Sequence, residues 1–158
     1  IYEGTNTIQS LDLLGRKVLG NQGATLKKFG KQIAELVAQC QDNEEMQEFI
    51  KPLTQLGQQM TQFTGEIGYK AMQNADEVGA AAVDYLRVAG HLVFGYFWAR
   101  MAQVALQKIG EGQRETFYQA KLQTARFYFA KLFPETASLM ATARAGSAVL
   151  METEAVFV

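Results

Sequence analysis

The chain has 158 residues, a net charge of −1, 48% apolar residues and 20% charged residues, which is ordinary for one globular domain. No run of lysines or arginines forms a basic stripe, which argues against nucleic-acid binding. The single cysteine excludes an internal disulfide and indicates a reducing, cytoplasmic setting. The single histidine argues against a His-based metal site. The longest uncharged apolar stretch, Val88 to Ala99, is shorter than the roughly 20 residues of a membrane span.

The first half of the chain predicts three helices. The first runs from about Asn6 to Leu19, with Thr5 or Asn6 as its cap. The second, Ala24 to Gln41, has apolar residues at spacings of three and four. Asp42 and Glu45 have capping-box spacing and precede the third helix, Glu44 to Asn74. Pro52 lies inside that helix, where it predicts a kink or a new start.

The second half predicts three more helices. The fourth, Asp76 to Ile109, is apolar on most sides, which is typical of the centre of a bundle or of a subunit interface. A turn at Gly110-Glu111-Gly112 precedes the fifth, Gln113 to Phe133, and Pro134 ends it. The sixth has one stripe of Leu139, Ala143, Gly146 and Leu150. We expect the apolar tail, residues 155–158, to pack against the domain or a partner. The predicted fold is all-α: an up-and-down bundle of four main helices with a shorter flanking helix.

The first nine residues, IYEGTNTIQ, contain the candidate chemistry. Glu3 is a carboxylate just ahead of the predicted first helix, and Gly4 permits a sharp turn or the close approach of a ligand. The free N–H groups of a first helical turn favour anions or carbonyl oxygens. Two roles follow for Glu3: a general base, or a residue that only caps the helix dipole. Spacing alone favours the capping role.

Tyr2-Glu3-Gly4-Thr5 followed by Ile8-Gln9 resembles the signature around the catalytic base of acyl-CoA dehydrogenases. Further segments resemble the extra C-terminal helical domain of large bacterial members of this family. These segments are Asp84-Tyr85-Leu86-Arg87, Gly95 with Trp98-Ala99-Arg100-Met101, and residues 121–128. The resemblance covers most of the chain, although only its first nine residues touch known chemistry.

The resemblance implies a role for each residue of the signature. Glu3 would remove the α-proton of an acyl-CoA thioester while a hydride leaves the β-carbon for FAD. Tyr2 and Gly4 would contact substrate, and Thr5, Thr7 and Gln9 would lie near FAD. It also implies electron transfer to an electron-transfer flavoprotein, and we expect a homo-oligomer.

The main flavin-binding segments of the family precede the glutamate. We therefore expect a longer parent protein, and we expect this chain alone to be inactive and not to bind FAD tightly. Residues 1–22 would end the dehydrogenase core, and residues 23–158 would form the C-terminal bundle domain. Two alternatives stay open. One is a helical interaction module in which Glu3 is only a cap, and the other is a family member that has lost dehydrogenase activity.

Other polar residues are expected to be structural. His91 is predicted to be a satisfied core or interface histidine, and Cys40 a buried, inert thiol. Asp84 and Arg87 are spaced to pair on one helix, or Asp84 pairs across the bundle. Lys121 and Arg126 lie among aromatics, where solvated or paired cations are more common than ligands of an anion such as a CoA phosphate.

Overall fold

The computed structural model describes residues 2–152, with side chains from residue 4 onward, and this part of the chain is helical without strands. The α-helices are α1 (Tyr2–Leu11), α2 (Ala24–Cys40), α3 (Gln47–Gln73), α4 (Asp76–Gly110), α5 (Glu115–Phe127), α6 (Glu135–Arg144) and α7 (Ala148–Met151). A π-helical segment, Asp12–Val18, continues α1, and a second, Tyr128–Leu132, continues α5. Short 3₁₀ turns occupy Leu19–Asn21 and Glu44–Met46. The all-α bundle predicted from the sequence is confirmed.

Helix α4 lies at the centre of the bundle and packs against α1, α3, α5 and α6. The buried face of α4 is rich in small residues, which let neighbouring helices approach closely. They include Ala81, Ala82, Ala99, Ala102 and Ala105. Large side chains of α3 fill the space opposite: Phe49, Leu53, Leu56, Met60 and Phe63 are all buried. The prediction that the fourth helix is central is confirmed.

Salt bridges join helices that are distant in the sequence. Arg126 of α5 bonds Glu48 of α3 at 2.8 Å. Arg144 of α6 bonds Glu66 of α3 at 2.7 Å. Because these bridges are largely exposed, each contributes little energy. They link α5 and α6 to the same long helix.

Two predicted helix starts are wrong. Helix α1 already includes Tyr2, so Thr5 and Asn6 lie inside it and neither is its cap. At the third helix the cap is Asn43, whose side chain accepts a hydrogen bond from the Met46 backbone N–H at 3.2 Å, and not Asp42. Asparagine is as good a cap as aspartate, and a 3₁₀ turn brings that N–H to it.

Two further predictions concern where helices end. Helix α3 continues through Pro52, so of the two outcomes predicted there the new start is wrong, and the kink stays a prediction. The sixth helix does not reach Leu150. It ends at Arg144, because Gly146 adopts a left-handed conformation with φ of 78°. Leu150 then lies on the separate short helix α7 and is exposed.

Candidate functional site

The candidate catalytic segment forms the start of α1. Residues 4–9 are all exposed, whereas Ser10 is fully buried. The Ser10 hydroxyl donates a hydrogen bond to the Thr7 carbonyl oxygen at 2.8 Å, and Leu14 is buried one turn further on. Helix α1 is therefore anchored on α4 from Ser10 onward, and the turn before it projects from the bundle. The described residues build no closed pocket around this turn.

The helical geometry of α1 separates the three residues proposed to contact FAD. Thr5 and Gln9 are four residues apart and share one face of the helix. Thr7 is two residues from each and therefore points to a different side. Thr5 and Gln9 therefore share a helix face on which Thr7 does not lie.

Gly4 is helical and makes no sharp turn, since its φ is not among the positive values of the described glycines. A Cβ built on Gly4 meets no atom within 4 Å. Of its two predicted roles, only the close approach of a ligand remains. The side chains of Tyr2 and Glu3 lie outside the described ones, although their backbone belongs to α1.

The π-helical segment after α1 holds a charged cluster that the sequence analysis missed. Asp12 bonds Arg16 through both carboxylate oxygens and contacts Lys17 at 3.1 Å. Hydrogen bonds from Arg16 and then Lys17 lower the pKa of Asp12 to about 2. The i, i+4 spacing of Asp12 and Arg16 could have predicted this ion pair from the sequence. The cluster lies on the surface, and its one carboxylate is paired with two cations.

His91 is the centre of a polar network between α4, the second π-helical segment and α6. Its Nδ1 bonds the Tyr128 hydroxyl at 2.9 Å, and its Nε2 bonds the Glu135 carboxylate at 3.0 Å. Arg87 pairs with the other oxygen of Glu135. The bond to His91, with help from Arg87, lowers the pKa of Glu135, and burial raises the pKa of Tyr128 to about 12.

This network confirms that His91 is satisfied within the fold. Both ring nitrogens are occupied by residues of other elements, so the imidazole has no free nitrogen for a substrate. It also decides the open question on Arg87, which pairs across the bundle with Glu135 and not with Asp84. Sequence reasoning gave no sign of these partners, because they lie 37 and 44 residues from His91.

The remaining candidates are structural. Cys40 is buried, as predicted, and burial raises the pKa of its thiol. Arg126 is paired with Glu48, which removes it as a candidate phosphate ligand. Lys121 lies 5.4 Å from the centre of the Phe117 ring, at a shallow cleft of about 370 Å³ between α4 and α5.

Among residues 2–152, no group of three His, Cys, Asp or Glu side chains is placed to hold a metal ion. No helix in the described part of the chain is long and apolar enough to cross a membrane.

Comparison with known proteins identifies the family. Residues 29–154 match the family described as acetyl-CoA dehydrogenase C-terminal like. The chain is 30% identical over 138 residues to the 3-methylmercaptopropionyl-CoA dehydrogenase of Ruegeria pomeroyi. It is 27% identical over 143 residues to the broad-specificity linear acyl-CoA dehydrogenase FadE5 of Mycobacterium tuberculosis. A butyryl-CoA dehydrogenase of Syntrophomonas wolfei is 28% identical over 138 residues.

Each match covers 85% of this chain but only 22–23% of the relative. The chain therefore spans less than a quarter of the length of these enzymes. The family match falls on the bundle that α4 organises, and it begins after the turn at Gln22 and Gly23 that separates the first π-helical segment from α2. By these matches the chain belongs to the acyl-CoA dehydrogenase family, as a C-terminal segment.

Proposed function

We propose that this chain is the C-terminal part of an FAD-dependent acyl-CoA dehydrogenase in which Glu3 is the catalytic base. The observation that supports this most is the conjunction of two independent features. The signature Tyr2-Glu3-Gly4-Thr5 precedes, in the same chain, a domain that matches this family from residue 29 onward. The start of α1 also projects from the bundle, exposed over residues 4–9, as a segment that contributes to a larger site would.

The role proposed for Glu3 is proton transfer. Its carboxylate would take the α-proton of an acyl-CoA thioester, leaving a trans-2-enoyl-CoA once the β-hydride has also departed. A carboxylate in water is a weak base for a C–H acid, so the parent protein would have to enclose Glu3 and desolvate it, which raises its pKa. Its position in the first turn of α1 acts in the opposite sense, because the helix dipole stabilises the anion.

The other residues of the segment would position the reactants. Tyr2 and the open face at Gly4 would lie against the acyl-CoA, and the close approach permitted at Gly4 suits a thioester carbonyl. Thr5 and Gln9, on one face of α1, would hydrogen-bond the flavin, while Thr7 would contact it only from another side. FAD, when bound, supplies the acceptor for the hydride. We further propose an electron-transfer flavoprotein as electron acceptor and a cytoplasmic location.

We place the boundary between the two units at the Gln22-Gly23 turn. Residues 1–22 would complete the dehydrogenase core, and residues 23–158 would form the C-terminal bundle. Gln22 and Gly23 both have positive φ, and this reverses the chain between the first π-helical segment and α2.

The test is a substitution in the full-length parent protein. Glu3→Gln keeps the shape of the side chain but removes the base, so we expect reduction of an artificial electron acceptor by acyl-CoA to be lost while FAD stays bound. Glu35→Gln, the same substitution at an exposed position on α2, is the matched control and should keep the wild-type activity. Normal turnover in Glu3→Gln would remove Glu3 from the mechanism.

The chain by itself gives a second test. Because the described residues form no closed pocket at α1, the purified chain should be colourless and should not reduce an acceptor. A chain that purifies with stoichiometric flavin, seen in its visible absorbance, would contradict this.

A further inference from the structure

A groove runs between α2 and α3 on the outside of the bundle, and we call it the α2–α3 groove. Three cavities of about 290, 450 and 300 Å³ form it. They adjoin, because the first two share Thr61 and the last two share Thr54 and Gln58. Along α3 the lining extends from Gln47 to Gly68, which is roughly 30 Å at the helical rise per residue.

Both walls of the α2–α3 groove carry small residues one helical turn apart. They are Gly30, Ala34 and Ala38 on α2, and Gly57, Thr61 and Gly65 on α3. Small residues repeated at every turn leave a track into which the side chains of another helix can pack. The hydroxyls of Thr54 and Thr61 donate to the carbonyl oxygens of Ile50 and Gly57 at 2.7 and 3.0 Å, so their protons are already used within α3.

Three glycines of the groove have no neighbour that explains their missing side chains. A Cβ built on Gly30, Gly57 or Gly65 meets no atom within 4 Å. None of the three has a positive φ, so the backbone does not require glycine either. Glycine inside a helix is about 1 kcal/mol less favourable than alanine. The space above these glycines is therefore available to side chains of another molecule.

The charged side chains that line the groove are lysines, Lys27 toward one end and Lys51 toward the other. The ion pairs of the described residues involve other cations, so no carboxylate of this part of the chain neutralises either lysine. Of the acidic residues on α2 and α3, Glu48 and Glu66 are paired with arginines, and Glu35 does not line the groove. The lining therefore fits a partner with carboxylates on its flanks.

The turn between α2 and α3 sets the direction of a helical partner. Asp42, Glu44 and Glu45 on this turn are exposed, and the ion pairs of the described residues do not include them. The N-terminus of a helix carries a partial positive charge and its C-terminus a partial negative charge. A helix in the groove is therefore most stable with its N-terminus at this turn and its C-terminus near Lys27, parallel to α3.

We propose that the α2–α3 groove binds an amphipathic helix of another protein, with large apolar side chains over the three glycines and carboxylates opposite Lys27 and Lys51. Helix-in-groove recognition uses apolar anchors three and four residues apart, and the one-turn repeat of small residues on both walls matches that spacing. A flexible acyl chain has no such period. The length of the groove is that of about 20 helical residues. The proposal does not depend on Glu3 or on the dehydrogenase chemistry.

Peptide binding tests the chemistry of the partner. The probe is a fluorescein-labelled peptide of about 18 residues, with leucines three and four residues apart and glutamates on both flanks. The matched peptide has lysines in place of the glutamates. Fluorescence anisotropy is followed as each peptide is titrated with the parent protein and with the 158-residue chain. We expect the glutamate peptide to bind both proteins, at least tenfold more tightly than the lysine peptide.

Three outcomes of this titration would overturn the proposal. They are no binding of the glutamate peptide, equal affinity for the two peptides, and binding to the 158-residue chain but not to the parent protein. The last outcome would mean that the parent protein covers the groove with its own residues.

Substitutions locate the binding site. Gly65→Leu fills the groove and Lys27→Glu reverses a lining charge, so each should weaken binding of the glutamate peptide at least tenfold. The matched controls are Gly79→Leu on α4, where a Cβ also meets no atom within 4 Å, and Lys28→Glu, exposed but outside the lining. Both controls should keep the wild-type affinity, and circular dichroism should show that all four variants are folded. Equal loss in the two lysine variants would mean that net charge alone attracts the peptide, which contradicts binding in the groove.

Two other occupants would give different results. If the groove held a second copy of this chain, Gly65→Leu would lower the mass measured by sedimentation equilibrium. If it held a lipid, the wild-type chain would cosediment with vesicles of phosphatidylcholine and phosphatidylglycerol, and Gly65→Leu would not. We expect Gly65→Leu to change neither measurement, and a change in either would overturn the proposal of a helical partner.

Discussion

At the scale of single residues, two glycines of α4 lie in opposite environments. Gly95 is buried, and the Phe133 ring fills the space that a side chain would need. Gly90 faces open space. Both glycines lie in the same apolar helix, and only the packing shows at which of them a larger residue would disrupt the fold.

Gly95→Ala should therefore destabilise the fold. The added methyl group would meet the Phe133 ring at 2.6 Å and Leu53 at 3.4 Å, and the ring is itself packed against Phe129 and Tyr128. Overpacking of this kind costs about 1–3 kcal/mol, which exceeds the gain from replacing a helical glycine. The free energy of unfolding in urea measures the change.

Gly90→Ala is the matched control for that experiment. It gains helix propensity without a clash, so it should stabilise the fold by up to about 1 kcal/mol. If the two variants changed stability equally, the packing at Gly95 would not be what requires glycine there.

For single residues, the sequence predicted whether a side chain is buried better than it predicted its hydrogen-bond partners. Cys40 was expected to be buried because it lies among the apolar residues spaced by three and four in the second helix, and His91 to be satisfied because it lies in the apolar fourth helix. The partners Tyr128 and Glu135 come from elements that only the folded chain brings to His91. The signature at Glu3 was recognisable because six positions match in order, and its role stays a proposal.

At the scale of helices, the pattern predicted α4 almost to the residue. Asp76 follows a break, and Gly110 to Gly112 ends the helix with a left-handed glycine at 112. The sequence did not predict the π-helical segments, because helix prediction from the spacing of apolar residues assumes 3.6 residues per turn throughout. The sixth helix was drawn too long because the apolar stripe continues past Gly146, whereas the backbone turns there.

Pro52 gives an element-scale prediction. It lies inside α3, where its ring removes the N–H that would bond the Glu48 carbonyl and strains the preceding turn. Pro52→Ala should restore that hydrogen bond, which stabilises the folded state. The substitution also makes the unfolded chain more flexible, which costs up to about 1 kcal/mol. We expect the free energy of unfolding to rise, on balance, by about 1–2 kcal/mol.

The denaturation midpoint measures this effect, and Lys51→Ala at the exposed neighbouring position should change stability by less than about 0.5 kcal/mol. Destabilisation by Pro52→Ala would mean that the helix is packed around a bend which proline itself creates.

At the scale of the whole molecule, apolar packing forms the core, and polar contacts at the surface join elements that are distant in the sequence. The core around α4 is apolar, while carboxylates at the surface join elements far apart in sequence. Glu66 bonds Arg144, Glu77 bonds Ser147, and Glu135 bonds His91 and Arg87. The fold class was predictable from composition and periodicity, but these links were not.

These carboxylates predict loss of stability in acid. The pKa of each is lowered from 4.5 by its partner, so the folded state binds protons less readily than the unfolded state. Their contribution is fully present above about pH 4.5 and is lost as the pH falls through the folded pKa values. Urea midpoints measured from pH 6 to pH 3 should decline most steeply below 4.5.

In Glu135→Gln the urea midpoint should fall less steeply with decreasing pH, because one of the three carboxylates that take up a proton on unfolding is removed. Glu45→Gln, at an exposed position on the turn before α3, should leave the slope unchanged. A midpoint that does not depend on pH in this range would contradict the role of the interhelical carboxylates.

The central claim, that this chain supplies the base of an acyl-CoA dehydrogenase, is tested most directly by following the flavin of the parent protein. An acyl-CoA added without oxygen or electron acceptor should bleach the visible absorbance of bound FAD within one turnover. In Glu3→Gln the absorbance should persist while the acyl-CoA still binds. Equal bleaching in both proteins would show that another residue takes the α-proton, and no bleaching in the wild-type protein would show that the parent is not a dehydrogenase.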